Sequence, residues 1–244
     1  MSIFLIKVKS QNSKQVKKQG VRFAMGNLRL KNSIGIVQNK SEIEFFNSNT
    51  RESIALKIDF PEILDFLKRF DGKNSIDDVC EFFPNYTKNS LIQLLIFLNQ
   101  NNILISDDVE YSKDEEINDN RLISFLEDYC QSSSEVVEKI KVIKNAHVMI
   151  IGLGSVGSLM AVYLAKIGVN NFILVDNDKV DISNLHRQYY FEDHISMAKV
   201  DALSAELKKI NPNSNCFKIK DYLTDAFFDK SDLPKNINLI INCA

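Results

Sequence analysis

Apolar positions along the chain change period from one region to the next. They first fall in short runs, Val21–Leu30, Ile34–Gln38, Glu42–Asn47 and Ser53–Ile58. Gly26-Asn27 and Lys31-Asn32-Ser33 stand between them, so the runs predict strands joined by turns. From Ile63 the spacing becomes helical. Ile63, Phe66, Leu67 and Phe70 share one face of a helix that Asp71-Gly72 is expected to end. Ser75 is expected to cap a second helix carrying Ile76, Val79, Cys80 and Phe83, which Pro84 stops. Thr87 to Asn101 carries Leu91, Leu94, Leu95 and Leu98, and Ile103-Leu104-Ile105 predicts a strand. Further on, helices are predicted near Asn120, with Leu122, Phe125 and Leu126, and over Ser133 to Lys144. Ala146–Ile151 and Asn171–Asp176 then predict two buried parallel strands. Between them Val156, Leu159, Met160, Tyr163, Leu164 and Ile167 mark the apolar face of a helix that Gly168 caps. Asn238–Ala244 reads as a final strand.

Strands followed by three short helices suggest a winged-helix-like α+β domain over residues 1–106. A would-be DNA-reading helix, Asn89–Asn102, holds no Lys or Arg, yet groove readers need cations for phosphates and donors for bases. Nucleic acid is therefore not an expected partner. The net charge of -2 agrees with that. The first 41 residues contain nine Lys/Arg and no acid, which reads as a solvated basic face or as a contact for an acidic peptide. Residues 107–120 hold seven acids and one lysine and read as a linker that opens a lead-in over 107–144. No run is long and apolar enough for a membrane span, and no signal segment is recognisable. The four cysteines, Cys80, Cys130, Cys216 and Cys243, form no C-x-x-C pair. A cytoplasmic protein without a zinc site of ordinary spacing is the expectation. His147, His186 and His194 lack ligand spacing and are read as structural or surface residues.

Chemistry concentrates where the glycines do. The chain has 244 residues and 8 glycines, and three of these fall within Gly152-Leu153-Gly154-Ser155-Val156-Gly157. Such a turn between a strand and a helix lets the backbone approach a phosphate and lets helix and strand pack closely. The following helix offers free amides at its N-terminus, and Asp176 ends the next strand, where it can accept from a ribose.

The next residues separate this unit from hydride-transfer enzymes. They read Asp176-Asn177-Asp178-Lys179-Val180-Asp181-Ile182-Ser183-Asn184-Leu185-His186-Arg187-Gln188, with Ala198-Lys199-Val200 and Ile210-Asn211-Pro212 later. In this order they resemble the ThiF/MoeB/HesA-type, ubiquitin-activating-enzyme-like adenylating family over residues 120–244. The resemblance implies a Rossmann-like α/β adenylation domain over 145–244 that uses ATP and Mg2+. It implies that Arg187 and Lys199 contact phosphates, with Asn184 and Gln188 as neutral donors. Gly152, Gly154, Ser155 and Gly157 would cradle the nucleotide, Asp176 would hold its ribose, and Asp178 would position magnesium or the nucleotide. Arg121 sits in about the place of a family arginine that reaches a partner subunit's ATP, so a homodimer is implied. The family also places an aspartate just beyond the final strand. A truncated chain, inactive alone, is the expectation from that.

Residues 1–106 resemble PqqD-like leader-peptide recognition elements, and the two-part order resembles the MccB-like branch that matures ribosomal peptides. The implied function is ATP-dependent adenylation of a peptide's C-terminal carboxylate. The alternatives are a non-catalytic leader-binding partner and an activator of a ubiquitin-like sulfur carrier.

Overall fold

A computed structural model of the chain describes residues 7–9, 27–39, 42–224, 226–229 and 233–244. The chain divides into two compact units, Met1–Glu138 and Lys139–Ala244.

The front unit is α+β. Strand β1 (Lys7–Lys9) is followed by β2 (Leu28–Leu30), β3 (Ile34–Asn39), β4 (Glu42–Asn47) and β5 (Ser53–Lys57). Helices α1 (Ile63–Lys68), α2 (Ile76–Glu81) and α3 (Lys88–Gln100) come next, then β6 (Leu104–Ser106). An antiparallel sheet runs in the order β1-β5-β4-β3, and β2 pairs with β6. Residues 21–26 of the first predicted strand lie outside the described residues, as do most of the early lysines. The caps follow the sequence. The Ser75 hydroxyl accepts from Asp78 N–H while the Asp78 carboxylate accepts from Ser75 N–H. Thr87 caps α3 one way, its hydroxyl accepting from Ser90 N–H. Phe60, Phe66, Phe70, Phe83, Leu91, Leu95 and Leu98 form one core.

Three expectations change in this unit. Helix α1 ends at Lys68, so Gly72 does not cap it. Gly72 has φ +83° and donates its N–H to the Leu28 carbonyl, turning the chain back beside β2. The second change concerns charge, because two of the early cations are not solvated. Lys31 is only 1% exposed, and its Nζ bonds the Cys130 carbonyl at 3.0 Å and the Asn102 side chain. Arg29 bridges Asp107 at 3.1 Å and the fully buried Glu127 at 2.6 Å. The third change follows from those partners: the acidic stretch is more than a connector. Asp107 takes Arg29, Asp108 accepts from Ser133 and Ser134, and Ser112 opens α4 (Lys113–Asn118) with a capping box to Glu115. Helix α5 (Asn120–Glu127) and α6 (Ser133–Asn145) follow.

The second unit is a parallel α/β layer. It runs β7 (His147–Ile151), α7 (Ser155–Lys166), β8 (Asn171–Val175), α8 (Lys199–Ile210), β9 (Asn215–Ile219) and β10 (Leu239–Asn242). Strand order is β10-β7-β8-β9, every pair parallel. One sheet face packs Val148, Ile150, Phe172 and Leu174 against Ala161, Val162, Leu203 and Leu207 of the helices. The other face packs Met149, Ile151, Ile173 and Val175 with Phe227. Both faces are covered, which is why β7 and β8 are nearly continuous apolar runs.

Helix α7 corrects the sequence reading. Its buried face is Gly157, Ser158, Ala161, Val162 and Ala165. Of the large residues taken for the core face, Leu164 packs against the core, while the others lie outside, with Val156 at 62% and Tyr163 at 61% exposure. The glycine turn explains the inversion. A Cβ on Gly157 would stand 1.9 Å from the Gly152 carbonyl oxygen, so helix and strand nearly touch there. Only small side chains fit on the face that approaches so closely. The C-terminus behaves as expected: Gly168, at φ +98°, donates to Ala165 O and Val169 to Leu164 O, a Schellman cap.

Candidate functional site

The turn from β7 into α7 sets the geometry. Gly152 has φ +82°, a conformation that residues with an L side chain rarely adopt. A Cβ there would also meet the backbone of Cys243 and Ala244 at 2.7–2.8 Å. Gly157 is excluded from bearing a side chain by the Gly152 carbonyl. Gly154 differs: a Cβ on it would meet nothing within 4 Å. Two of the three glycines therefore serve the fold, and Gly154 keeps open the space in front of the first turn of α7. Ser155 begins that helix. The first amides of a 12-residue helix have no intrahelical acceptor and carry its positive dipole end.

Asp176, just past β8, braces the turn. Its Oδ2 accepts from Leu153 N–H at 2.7 Å and its Oδ1 from Asp178 N–H at 2.8 Å. Each carboxylate oxygen can still accept another bond. Lys199 opens α8 and is 6% exposed. Its Nζ pairs with Asp178 Oδ2 at 2.9 Å, and its N–H donates to the Asp178 carbonyl. Val180 N–H to Met197 O and Ser196 N–H to Val180 O hold the two segments together.

These residues line a cavity of about 250 Å³ at the carboxyl ends of the strands. Gly152, Gly154, Asp176, Asp178 and Lys199 are on its wall, and Ser155 and Gly157 are not among the residues that line it. Asp221, Tyr222 and Leu223, beyond β9, and Cys243 and Ala244, beyond β10, complete it. Sequence reasoning passed over these five. The signal was topological: every strand of a parallel sheet delivers its C-terminal residues to the same edge.

The remaining predicted residues lie elsewhere. Arg187 is exposed and not on the cavity wall; its Nη1 donates to the Ser183 carbonyl at 2.6 Å. Asn184 is buried, and its Oδ1 accepts from Asp181 N–H, closing a capping box over Asp181–Asn184. Gln188 is half-buried, and its Oε1 is buried with no hydrogen-bond partner among the described residues. Arg121 is exposed on α5 of the front unit. His194 is buried, its Nδ1 accepting from Phe191 N–H and its Nε2 lying 3.3 Å from Glu206.

Residues 131–244 match the ThiF family. The second unit is a ThiF-family domain. Its relatives include the tRNA threonylcarbamoyladenosine dehydratase of Bacillus subtilis, 35% identical over 94 residues, 38% of this chain and 37% of the relative. Another is the adenylyltransferase and sulfurtransferase UBA4 of Kluyveromyces lactis, 38% identical over 116 residues, 42% of this chain and 26% of the relative. A crystal structure of E. coli MccB with MccA-N7isoASN has the same fold, with a TM-score of 0.68 at 23% identity. That likeness covers 85% of this chain and 58% of MccB. The chain thus spans little more than a third of the dehydratase and just over half of MccB.

The cavity of this ThiF domain suits a nucleotide phosphate on one count: Gly154 leaves room at helix amides without acceptors. Magnesium beside a nucleotide is ordinarily held by one or two carboxylates and the phosphates themselves, and Asp178 on the cavity wall is of that kind. Among the described residues no three of His, Cys, Asp and Glu gather as metal ligands. No helix among them is long and apolar enough to cross a membrane.

Proposed function

We propose that the second unit is the nucleotide half of an enzyme that adenylates a carboxylate, and that its substrate is the C-terminus of a ribosomally made peptide. The observation that carries the reading is the glycine turn open at Gly154, with Asp176 and Lys199 on the same wall. In the proposed reaction a substrate carboxylate oxygen attacks the α-phosphorus of ATP. A new O–P bond forms, the bond to the bridging oxygen breaks, and pyrophosphate leaves with the electron pair. Negative charge grows on the phosphate oxygens, and preorganised donors there lower the barrier. The α7 amides and the Lys199 ammonium are those donors. Asp178, now paired with Lys199, yields it to phosphate, and Asp176 accepts from the ribose hydroxyls. Arg187 and Gln188 reach the phosphates only by leaving the positions described above. Asp178 would also be placed to hold magnesium against those phosphates, where the ion would offset their charge.

The likeness of the whole two-part chain to MccB, solved with MccA, supports the peptide substrate. The front unit adds an edge strand, β3, with Val37 52% exposed, where an extended peptide could pair as a further strand. A homodimer, with Arg121 serving the partner's nucleotide, completes the proposal. The UBA4 match favours a second reading, activation of a ubiquitin-like sulfur carrier. Pyrophosphate–ATP exchange tests the first. It should depend on added peptide and fall about 100-fold or more in Lys199→Ala. Exchange that survives that change overturns the site, and exchange driven by a carrier protein but not by peptide selects the second reading.

A further inference from the structure

The loop that carries Asn184, Arg187 and Gln188 is fastened to the glycine turn by residues outside the motif. Tyr190 is 3% exposed, and its Oη donates to the Leu153 carbonyl at 2.9 Å. Leu153 is itself fully buried, so that carbonyl has no access to water. The same residue's N–H is held by Asp176, which means both faces of the Leu153 peptide environment are fixed by side chains. A second stitch lies beside the first: Tyr189 N–H donates to the Oγ of Ser158, fully buried on α7. The Tyr190 ring stands edge-on to His194 at 6.3 Å and belongs to the core under the sheet.

We propose that Tyr190 is a positioning residue for nucleotide binding, its hydroxyl holding the Gly152-Leu153-Gly154 turn in register with the loop of residues 184–188. The proposal rests on the ATP reading above and deepens it. Tyr190 works through Leu153 and touches no nucleotide. Burial, with Asp176 and Asp178 nearby, pushes its pKa far above the ordinary tyrosine range, so the hydroxyl stays a donor throughout the working pH range. Removing it leaves a buried carbonyl without a partner, which the turn can relieve only by shifting.

Tyr190→Phe in the full chain isolates the effect, because the ring and its packing remain. Two measurements separate this proposal from the ATP reading. Hydrogen exchange of the amides of residues 152–158, without nucleotide, should quicken about tenfold or more while β8 and α8 keep their protection. ATP binding, by calorimetry below the unfolding transition, should weaken about tenfold, while the unfolding midpoint falls by only the few degrees that one lost buried hydrogen bond brings. Ser158→Ala, which cuts the second stitch, should move both readouts the same way and stands in if Tyr190→Phe does not fold. Wild-type chain that fails to bind ATP overturns the ATP reading alone if exchange at the turn still quickens in the variant. Wild-type binding with unchanged exchange and unchanged affinity in Tyr190→Phe overturns the positioning role. Exchange that quickens uniformly over the unit overturns it too, since that marks a merely structural residue.

Discussion

Around Glu127 in the front unit and around Asp176 in the second, the chain gathers charged side chains in similar numbers, and it treats them differently. Glu127 is fully buried and accepts from Arg29 Nη2, from Asn32 N–H and from Asn32 Nδ2. Asp128 beside it takes Ser33, Asn47 and Asn49, and Lys31 lies among carbonyl oxygens. Protein encloses Glu127 and Lys31 at the centre of that cluster, while Asn32 and Asn49 stand at its surface. Around Asp176 the carboxylates of Asp178 and Asp221 and the Lys199 ammonium face a cavity, beside a glycine with empty space in front of it. The lesson is that density of charge does not mark function. The mark is geometry left open: a missing Cβ and free helix amides. A buried cluster that protein has closed is a structural joint, costly to break at one member.

The largest effect that would break this contrast comes from the closed cluster. Glu127→Ala takes the Arg29 guanidinium's buried partner, leaving it Asp107 alone, and removes the acceptor of the Asn32 N–H. It should cost about 3–5 kcal/mol in urea unfolding of the front unit. ATP affinity, measured below that transition, should stay within about twofold of wild type. A loss of ATP binding without loss of stability would show that the cluster is not a joint but part of a site.

The glycines give the next test. Gly157→Ala drives a Cβ into the Gly152 carbonyl and should destabilise the second unit by about 1–3 kcal/mol. Gly154→Ala has φ -73° and open space, so its melting temperature should hold while ATP binding weakens about tenfold or more. If Gly154→Ala keeps its affinity, the open space is not where a nucleotide approaches.

Lys31 sharpens the comparison through pH. Burial lowers its pKa from the ordinary 10.5 to about 8. Between those values the unfolded chain holds a proton that the folded chain has released, so stability rises with pH across that window. Below about 8 both states hold the proton and this contribution is flat. From pH 8 to 9.5, below the range where tyrosines intrude, the gain should be about 1–2 kcal/mol. Lys31→Met should flatten that slope in urea unfolding. A slope unchanged in the variant would mean that the buried ammonium is not its source.

Much of this contrast is legible in the sequence, and the part that is not has physical reasons. The parallel unit declares itself through Ala146–Ile151, the glycine turn and Asp176, because strand, turn and acid lie within about thirty consecutive residues. Caps such as Ser75 are legible for the same reason: donor and acceptor are three residues apart. Arg29 and Lys31 pass for a solvated face because their partners, Asp107, Glu127 and Cys130, lie some 80 to 100 residues away. Tyr222 and Leu223 enter the cavity through strand order, which no local pattern encodes. In α7 the periodicity is right and its phase is wrong. A count of apolar residues favours Val156, Leu159 and Tyr163, while the close approach at Gly157 admits only serine, alanine and valine.

That phase error yields the smallest expected effect and the most direct check on the packing of α7. Val156 is 62% exposed on the first turn of α7, so Val156→Thr, nearly isosteric, should change stability by no more than about 0.5 kcal/mol. Were Val156 in the core, as periodicity alone suggests, the buried hydroxyl would cost more, about 1–3 kcal/mol. Urea unfolding of the single variant decides between them. A loss at the higher figure would put the large residues of α7 against the sheet. The small residues would then have no steric cause, because Gly157 could not stand so near Gly152 while Val156 and its neighbours filled the same gap.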